Sequence, residues 1–372
     1  MKWLLGLTLL SMAVPHLGNL GLFGYLPVIG CLGLILFLRK RVALYDALWY
    51  NLGGGLCLLG MLIGSVQNGG LVSLAYVAFG VLLFFFYPLL RGRGLERYVL
   101  KIVLVCLLLT LIPLGFNAEG LVSIYDNPNN YSGIALSVLY LGVLTLYRSR
   151  GRQLLLFCLM AVLIFLGASR SILGAVAIFG VLYFLQRYVL RRTLKWGFVV
   201  GFSALCFAYY SLITDDRYQL LSTIQSATVS EKKNKGLSHR DQLFTISLGI
   251  ARDYPEGVGM GRSNQVIGER YVYPYTPHNT FLKALVEGGV IMLLGFCILL
   301  IGFLVTSNSP LATAFIFAFI LRGLFESSTP LSISLISSMW IIPMFLDEES
   351  VIWEEDWRLR LFPTIRLAIL QR

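Results

Sequence analysis

The sequence predicts an all-α polytopic membrane protein with about twelve transmembrane helices, and three observations support this fold class. Of its 372 residues, 57% are hydrophobic and only 13% are charged, whereas soluble domains carry roughly 25% charged residues. Long apolar runs recur along the chain, and basic residues cluster in alternate connections between them. One long polar segment, between residues 214 and 279, interrupts the series.

The apolar runs set the predicted spans, because a helix needs about 20 apolar residues to cross a bilayer. We predict spans near residues 3–15, 18–38, 42–64, 71–90, 98–116, 131–147, 153–168, 171–188, 195–213, 280–305, 310–325 and 330–346. The first run is short, and no small-residue cleavage site follows it. It is therefore predicted to be a membrane helix rather than a signal peptide.

The short connections predict the topology. Basic residues fall at 39–41, 91–101, 148–152 and 187–195, whereas the intervening connections at 65–70, 117–130 and 168–171 are nearly free of them. By the positive-inside rule both termini are cytoplasmic, and the long polar segment lies on the outer face. The net charge of +11 is thus explained by membrane topology, and no nucleic-acid partner is expected.

The predicted organisation has five parts. They are N-terminal membrane helices (1–116), central membrane helices with Asn-Pro-Asn and Ser-Arg turns (117–213), a large outward loop (214–279), C-terminal membrane helices (280–346) and an interfacial cytoplasmic tail (347–372). Within the loop, Leu243, Ile246 and Ile250 follow helical spacing, with Ser238 as a candidate N-cap. A loop of this length is usually functional.

Ionisable residues near the outer ends of the spans are the candidate site residues, since a charge inside a membrane usually faces a cavity or a partner. Arg170 lies in a tight turn with no acidic residue nearby in the sequence. A guanidinium group there suits a phosphate ligand. Lys283 with Glu287, and Arg322 with Glu326, have the i,i+4 spacing of pairs that neutralise each other. Those residues are therefore either site residues or self-neutralising pairs.

His278 is one of three histidines in the chain, and it stands just before an apolar run. Pro277 keeps the backbone extended before it, so the imidazole is predicted to lie at the mouth of a membrane helix. A helix N-terminus also favours bound anions. At neutral pH an imidazole can act as a general base.

Three other motifs are set aside. The glycines of GVGMGR (257–262) follow no strand, so a dinucleotide-binding loop is not expected. HRD (239–241) lacks any kinase context. Asp215 and Asp216 stand at a predicted helix start, where capping is the commoner role. The six cysteines all lie in apolar runs without metal-ligand or disulfide spacing, and no metal site is predicted.

Four blocks together resemble the O-antigen ligase and O-antigen polymerase superfamily of bacterial envelope glycosyltransferases. They are NPNNYSGIAL (127–136), GASRSILGA (167–175), HRDQLFTISLGIARDYPEGVGMGRSN (239–264) and PHNTFLKALVEGGVIMLLGF (277–296). The last block reads EGGV, a slight departure from the Glu-x-Gly usual in the family. The order of the blocks and their common outward side make the resemblance specific.

The resemblance implies a metal-independent enzyme without a cofactor, in the bacterial inner membrane. Such an enzyme takes a glycan from undecaprenyl diphosphate and transfers it, at the periplasmic face, to a lipid A core or to a second lipid-linked glycan. The family's functional positions fall on Arg170, Arg240 and His278, which are the candidate catalytic residues. Candidate substrate-binding residues are Arg262, Arg217, Asn279, Asn129, Lys283, Glu287 and Arg322.

Alternatives remain at this point. Ligase and polymerase share every residue named above, and the form of the NPN and HN blocks favours the ligase slightly. A lipid-linked oligosaccharide flippase or a permease would place polar residues and helix interruptions near the bilayer midplane. A scaffold protein would leave Arg170 and the long loop unexplained.

Overall fold

The structure is a computed structural model, and it describes residues 47–90, 96–111, 115–117, 120–122, 128–146, 150–166, 170–188, 240–270, 276–326 and 339–345. Most of these residues are helical. The α-helices are α1 (Leu48–Gly64), α2 (Leu71–Leu90), α3 (Glu96–Thr110), α4 (Pro128–Thr145), α5 (Arg150–Leu166), α6 (Arg170–Tyr188), α7 (Arg240–Asp253), α8 (Ser263–Arg270), α9 (Thr280–Thr306) and α10 (Pro310–Phe325). A π-helical turn, Ser65–Gly69, extends α1.

The predicted helical fold class is confirmed for the described residues, with two corrections. Strands β1 (Gly115–Asn117) and β2 (Gly120–Val122) form an antiparallel hairpin, so the span predicted to reach residue 116 stops at α3, before Pro113. Residues 339–345 form turns and a 3-10 helix, Ile342–Met344. The predicted span 330–346 is therefore wrong there, and Pro343 in that turn disfavours a continuous α-helix.

Two of the described helical segments, Leu48–Gly69 and Thr280–Thr306, are long and apolar enough to cross a membrane. Six shorter apolar helices accompany them. The predicted spans 3–15, 18–38 and 195–213 lie outside the described residues, as does the interfacial tail 347–372.

Helices α1 and α9 pack against each other in antiparallel orientation, and glycines allow the close approach. A Cβ on Gly53 would lie 2.8 Å from the Leu299 main-chain nitrogen, and one on Gly60 would lie 2.6 Å from the Gly288 carbonyl oxygen. Without a hydrophobic driving force in lipid, such close van der Waals contact between small residues is a main source of helix association. The sequence thus encodes this pairing through small residues.

Helices α4, α5, α6 and α10 form a second packed group. The Tyr140 and Phe315 rings stack at 4.4 Å between centroids, and the Phe157 and Phe179 rings stack at 5.4 Å. Stacked aromatic rings bury large areas and fix the relative position of the helices. Trp340 is fully buried and contacts this group and α9 together, since its ring centroid lies 4.7 Å from Phe319 and 5.0 Å from Phe296.

The contacts place several helix ends together, at what we call the polar end of the assembly. It comprises the starts of α4, α6 and α9, the end of α10 and the turn Ser65–Gly69. Antiparallel packing of α4 on α10 brings Gly133 to Arg322 and Tyr140 to Phe315. Helix α5 runs antiparallel to α4, with Gln153 bonded to the Val143 carbonyl. The start of α6, which soon follows α5, therefore lies at the polar end as well.

Candidate functional site

Helix α9 is interrupted at Gly289, and the segment 255–261, which we call the glycine turn, fills the break. Gly289 has φ 70° and ψ −171°, a conformation that essentially only glycine adopts. The amides of Val258 and Gly259 donate hydrogen bonds to the carbonyls of Val286 (2.8 Å) and Glu287 (3.0 Å). The amide of Val290 donates to the Pro255 carbonyl at 3.1 Å.

These bonds explain how an apolar helix tolerates a break. In lipid, an unsatisfied main-chain polar group costs several kcal/mol, so irregular backbone persists only where protein satisfies it. The glycine turn provides the missing partners. It follows helix α7 rather than a strand, in agreement with the exclusion of a dinucleotide-binding loop.

Glu287 is a buried carboxylate that links α8 to α9. Its side chain is 1% exposed, and its Oε1 accepts a hydrogen bond of 2.6 Å from Ser263 Oγ. The same oxygen lies 3.9 Å from Lys283 Nζ. The predicted i,i+4 pair therefore exists, but Glu287 also holds the first residue of α8. Sequence reasoning did not single out Ser263, because the contact joins residues of different segments.

Arg262 is tied to the π-helical turn at the end of α1. Its Nη1 donates a hydrogen bond to the Asn68 carbonyl, and its Nε donates to Gln265 Oε1 at 3.4 Å. The Asn68 side chain donates in turn to the Gly257 carbonyl at 2.8 Å, and Ser73 Oγ donates to the Met260 carbonyl at 2.7 Å. These bonds attach the glycine turn to α1 and α2.

The residues around His278 are fastened to the end of α10. Asn279 caps α9, its Oδ1 accepting from the Leu282 amide at 3.0 Å, while its Nδ2 donates to the Leu324 carbonyl at 3.2 Å. Thr280 Oγ1 donates to the Glu326 carbonyl at 2.9 Å. His278 Nδ1 lies 4.0 Å from Glu326 Oε2. The imidazole thus stands at the polar end, between α9 and α10.

Arg322 is buried, with 1% exposure, and lies against Gly133 near the start of α4. Its guanidinium carbon is 5.3 Å from the centroid of the Phe319 ring. Among the described residues, neither its Nε nor its Nη1 has a hydrogen-bond partner. Glu326 follows the end of α10 with an extended backbone (φ −134°, ψ 139°), its amide donates to the Arg322 carbonyl at 2.8 Å, and its charge acts on the Arg322 guanidinium.

Three other predicted site residues lie at helix starts. Arg170 is the first residue of α6, Arg240 the first of α7, and Asn129 the second of α4. Helix α7 packs on α9, with Leu248 in one apolar cluster with Leu282, so the elements that begin at Arg240 and just after His278 are in contact. Arg217 and the N-cap candidate Ser238 lie outside the described residues.

The predicted amphipathic helix in the loop is confirmed as α7, with Leu243 and Ile250 buried at 2% and 0% exposure. Its apolar face packs on the glycine turn and α9 through Val258 and Val286. Within the described ranges, no group of three His, Cys, Asp or Glu side chains could hold a metal ion.

Comparison with known proteins finds a family match over part of the chain. Residues 155–297 match a family model described as O-antigen ligase, and no curated protein matches the chain. The matched range includes the Ser-Arg turn, α7, the glycine turn and the block that starts at Pro277. Proteins of this family are membrane proteins, and the family implies an enzyme that transfers glycans. The match thus confirms the resemblance predicted from the motifs: residues 155–297 are similar to the O-antigen ligase and O-antigen polymerase superfamily.

Proposed function

We propose that the protein transfers a glycan from undecaprenyl diphosphate to an acceptor hydroxyl at the periplasmic face of the bacterial inner membrane. The acceptor is a lipid A core, which makes the protein an O-antigen ligase. The main alternative is a polymerase, for which the acceptor is a second lipid-linked repeat unit. The observation that supports the transfer reaction is the position of His278, between the start of α9 and the end of α10.

The chemistry requires an acceptor oxygen that loses its proton and a leaving group whose growing negative charge is stabilised. We assign the first task to His278 as general base. We assign the second to Arg170 and Arg240, whose guanidinium groups can bind a diphosphate through charge-assisted hydrogen bonds. This assignment is supported by the location of Arg170 at the start of α6 and by the contact of α7 with α9.

Fixed cations of this kind supply the electrostatic stabilisation without a metal ion, and we propose a metal-independent reaction. Arg262, Arg322, Lys283 and the polar residues Asn129 and Asn279 complete the proposed substrate-binding set. Of these, Arg322 has the strongest support, because its buried guanidinium has unsatisfied donors within the described residues. Arg217 is included on the sequence alone.

One observation bears on the transporter alternative: the break in α9 at Gly289. Transporters use broken helices so that freed main-chain groups can bind the substrate or ion. Here the carbonyls of Val286 and Glu287 and the amide of Val290 are already bonded to the glycine turn. The break is therefore occupied by protein, and we favour the transferase.

The decisive experiment supplies purified, reconstituted protein with a lipid-linked glycan donor and one of two acceptors, lipid A core or a second lipid-linked unit. A ligase forms glycan joined to the core, whereas a polymerase forms longer lipid-linked chains, so product size separates them. We expect His278→Ala, Arg170→Ala and Arg240→Ala to reduce transfer at least 100-fold, since general-base catalysis alone contributes about 10²–10⁴-fold.

Arg270→Ala is the matched control, because Arg270 is an exposed arginine that pairs with Asp253 at the surface of the loop region. Its transfer rate is expected to equal that of the unmodified protein. Full transfer by His278→Ala and Arg170→Ala would refute the site assignment. Movement of lipid-linked glycan across liposomes without any glycosidic product would refute the transferase and favour the flippase.

A further inference from the structure

Arg322 is a buried cation whose charge is partly balanced but whose hydrogen-bond donors are not satisfied. It is 1% exposed, and the Glu326 carboxylate acts on its charge. In the part of the chain that the structure describes, its Nε and Nη1 nevertheless make no hydrogen bond. Leaving the donors of a buried charged group unpaired is costly, so the position indicates a ligand that carries hydrogen-bond acceptors.

The guanidinium occupies a space that exists because residue 133 is a glycine. A Cβ on Gly133 would lie 2.7 Å from Arg322 Nε and 2.9 Å from Arg322 Nη2. The Gly133 carbonyl accepts the Ser137 hydroxyl at 2.9 Å as well as the amide bond of the helix, and these two bonds use both of its lone pairs. Gly133 therefore gives the guanidinium room but no acceptor.

Arg322 and the segment after His278 lie on different sides of α10. Successive residues of an α-helix point about 100° apart. A Cβ on Gly323 would lie 3.3 Å from Thr280 Oγ1, so Gly323 faces α9, whereas Arg322 faces α4. Phe315 lies two turns before Arg322 on the same face, and its ring also stacks on α4. The free donors therefore belong to the boundary between α4 and α10.

The chemistry of this boundary favours a phosphate group. A guanidinium forms charge-assisted, forked hydrogen bonds with phosphate oxygens. Gly133 lies within the first two turns of α4, and the N-terminal end of a helix carries partial positive charge. Nε and Nη1 of Arg322 are shielded from solvent, so a ligand reaches them only when the packing over the guanidinium opens. Once bound there, a phosphate satisfies both donors.

We propose that Arg322 and the start of α4 form a second phosphate site, which binds a phosphate group of the acceptor lipid. This inference rests on the proposed transfer function. The donor diphosphate carries the bond that breaks, so it must lie with His278 at the reacting atoms. A phosphate on the α4 side of α10 is therefore not the leaving group, and it belongs to the other substrate. Both candidate acceptors are phosphorylated lipids whose phosphate groups take no part in the reaction.

Such a site holds the acceptor without contributing to the making or breaking of bonds. Its phosphate is bound equally in the ground state and in the transition state, and uniform binding of this kind lowers KM without raising kcat. Arg170 and Arg240 are assigned to the leaving group, and their loss should lower kcat. The two kinds of arginine are thus distinguishable by kinetics.

The first test compares Arg322→Met, Arg322→Lys and the control Arg270→Met in the reconstituted transfer assay, with donor and acceptor concentrations varied separately. For Arg322→Met we expect the acceptor KM to rise about 10- to 100-fold, the effect of losing a hydrogen bond to a charged group. The donor KM and kcat should change by less than about twofold. Arg322→Lys keeps the charge but not the forked donors, so it should restore only part of the affinity. Arg270, exposed and paired with Asp253, should have no effect.

Gly133→Ala tests the same site from α4, because its methyl group would displace the guanidinium. It should raise the acceptor KM as Arg322→Met does. Gly174→Ala is the matched control, at an exposed position of α6 with no atom within 4 Å of its Cβ. A higher donor KM, or a lower kcat with an unchanged acceptor KM, would overturn the proposal by placing Arg322 at the leaving diphosphate. Unchanged kinetic constants in Arg322→Met would overturn it as well.

A binding measurement separates this proposal from the proposed function. Arg170→Ala removes an arginine assigned to the donor diphosphate, and the second phosphate site should remain in that variant. We expect undecaprenyl phosphate to raise its unfolding temperature in detergent, since a ligand of the folded state stabilises it. Undecaprenol, which lacks the phosphate, should have no effect, and the rise should be absent from Arg170→Ala/Arg322→Met.

An equal response of the two variants to undecaprenyl phosphate, including no response in either, would overturn the site. If the unmodified protein transfers no glycan to either acceptor, the proposed function fails, while the comparison of unfolding temperatures still decides whether Arg322 binds phosphate.

Discussion

The Val258 amide donates a hydrogen bond to the Val286 carbonyl at 2.8 Å, joining the glycine turn to helix α9 just before its break. Val286 is adjacent to Glu287 in the sequence, and His278 lies just before the start of α9. The loop region and the candidate site are thus parts of one hydrogen-bonded unit. The stability of this unit is open to direct measurement.

Gly289→Ala should destabilise the protein by about 1–3 kcal/mol, because φ 70° with ψ −171° is strained for any residue with a Cβ. The new methyl group would also lie 2.5 Å from the Glu256 carbonyl carbon. Thermal unfolding in detergent measures the loss. Gly55→Ala, an exposed position on α1 with no atom within 4 Å of its Cβ, is the control and should retain its stability. Equal unfolding temperatures for both variants would contradict this account of the break.

Ser263 and Glu287 should show strong energetic coupling. A double-mutant cycle with Ser263→Ala and Glu287→Leu is expected to give a coupling free energy of about 0.5–3 kcal/mol, since a buried 2.6 Å bond joins the two side chains. Gln265 and Glu269, an exposed pair on the same helix, should couple by only about 0.2–0.5 kcal/mol. Additive effects at Ser263 and Glu287 would show that the bond does not hold α8 on α9.

Asn279→Ala should cost about 0.5–2 kcal/mol, the usual range for a lost N-cap. It should also reduce transfer, because Asn279 fixes the residue next to it, His278. Asn279→Asp keeps the acceptor for the Leu282 amide but loses the donor to the Leu324 carbonyl, so an intermediate effect is expected. Ser309→Ala removes a comparable cap at the start of α10, where Ser309 Oγ accepts from Ala312 at 3.1 Å.

The comparison of these two caps separates stability from function. Unfolding free energies and transfer rates are measured on the same preparations. We expect Ser309→Ala to lower stability to a similar extent and to leave transfer intact once the fraction of folded protein is equal. An equal loss of transfer in both variants would mean that Asn279 acts on the site only through global stability.

Arg322→Met should raise the stability of the protein by about 1–3 kcal/mol, the usual cost of a buried polar group that has no hydrogen-bond partner. The reason is that its Nε and Nη1 have no partner in the described part of the chain. Thermal unfolding without substrate gives the sign. Arg270→Met, at an exposed pair with Asp253, should change stability by no more than about 1 kcal/mol. A marked loss of stability in Arg322→Met would indicate a structural role instead.

The predicted spans near 71–90, 171–188, 280–305 and 310–325 agree with α2, α6, α9 and α10 to within a residue or two. The agreement is expected, because the length of an apolar run in the sequence indicates the length of the helix that it forms. The span predicted over 330–346 fails at residues 339–345. There, Pro343 disfavours a continuous α-helix, and the buried Trp340 ring packs against α9 and α10. An apolar composition was therefore not sufficient to predict a helix. The sequence did not predict the break at Gly289 either, because a glycine within a helix is compatible with both a continuous and a broken backbone.

The sequence by itself determined the helical class, the resemblance to the O-antigen ligase superfamily and the residue types available for chemistry, because these depend on local composition and on motifs. It left open which charges pair. Only the tertiary structure decided that Glu287 holds Ser263 as well as Lys283, and that the Glu326 carboxylate also lies 4.0 Å from His278 Nδ1. The reason is physical: spacing along a helix fixes neighbours only while the helix continues. Contacts between segments depend on where each helix ends and what packs against it.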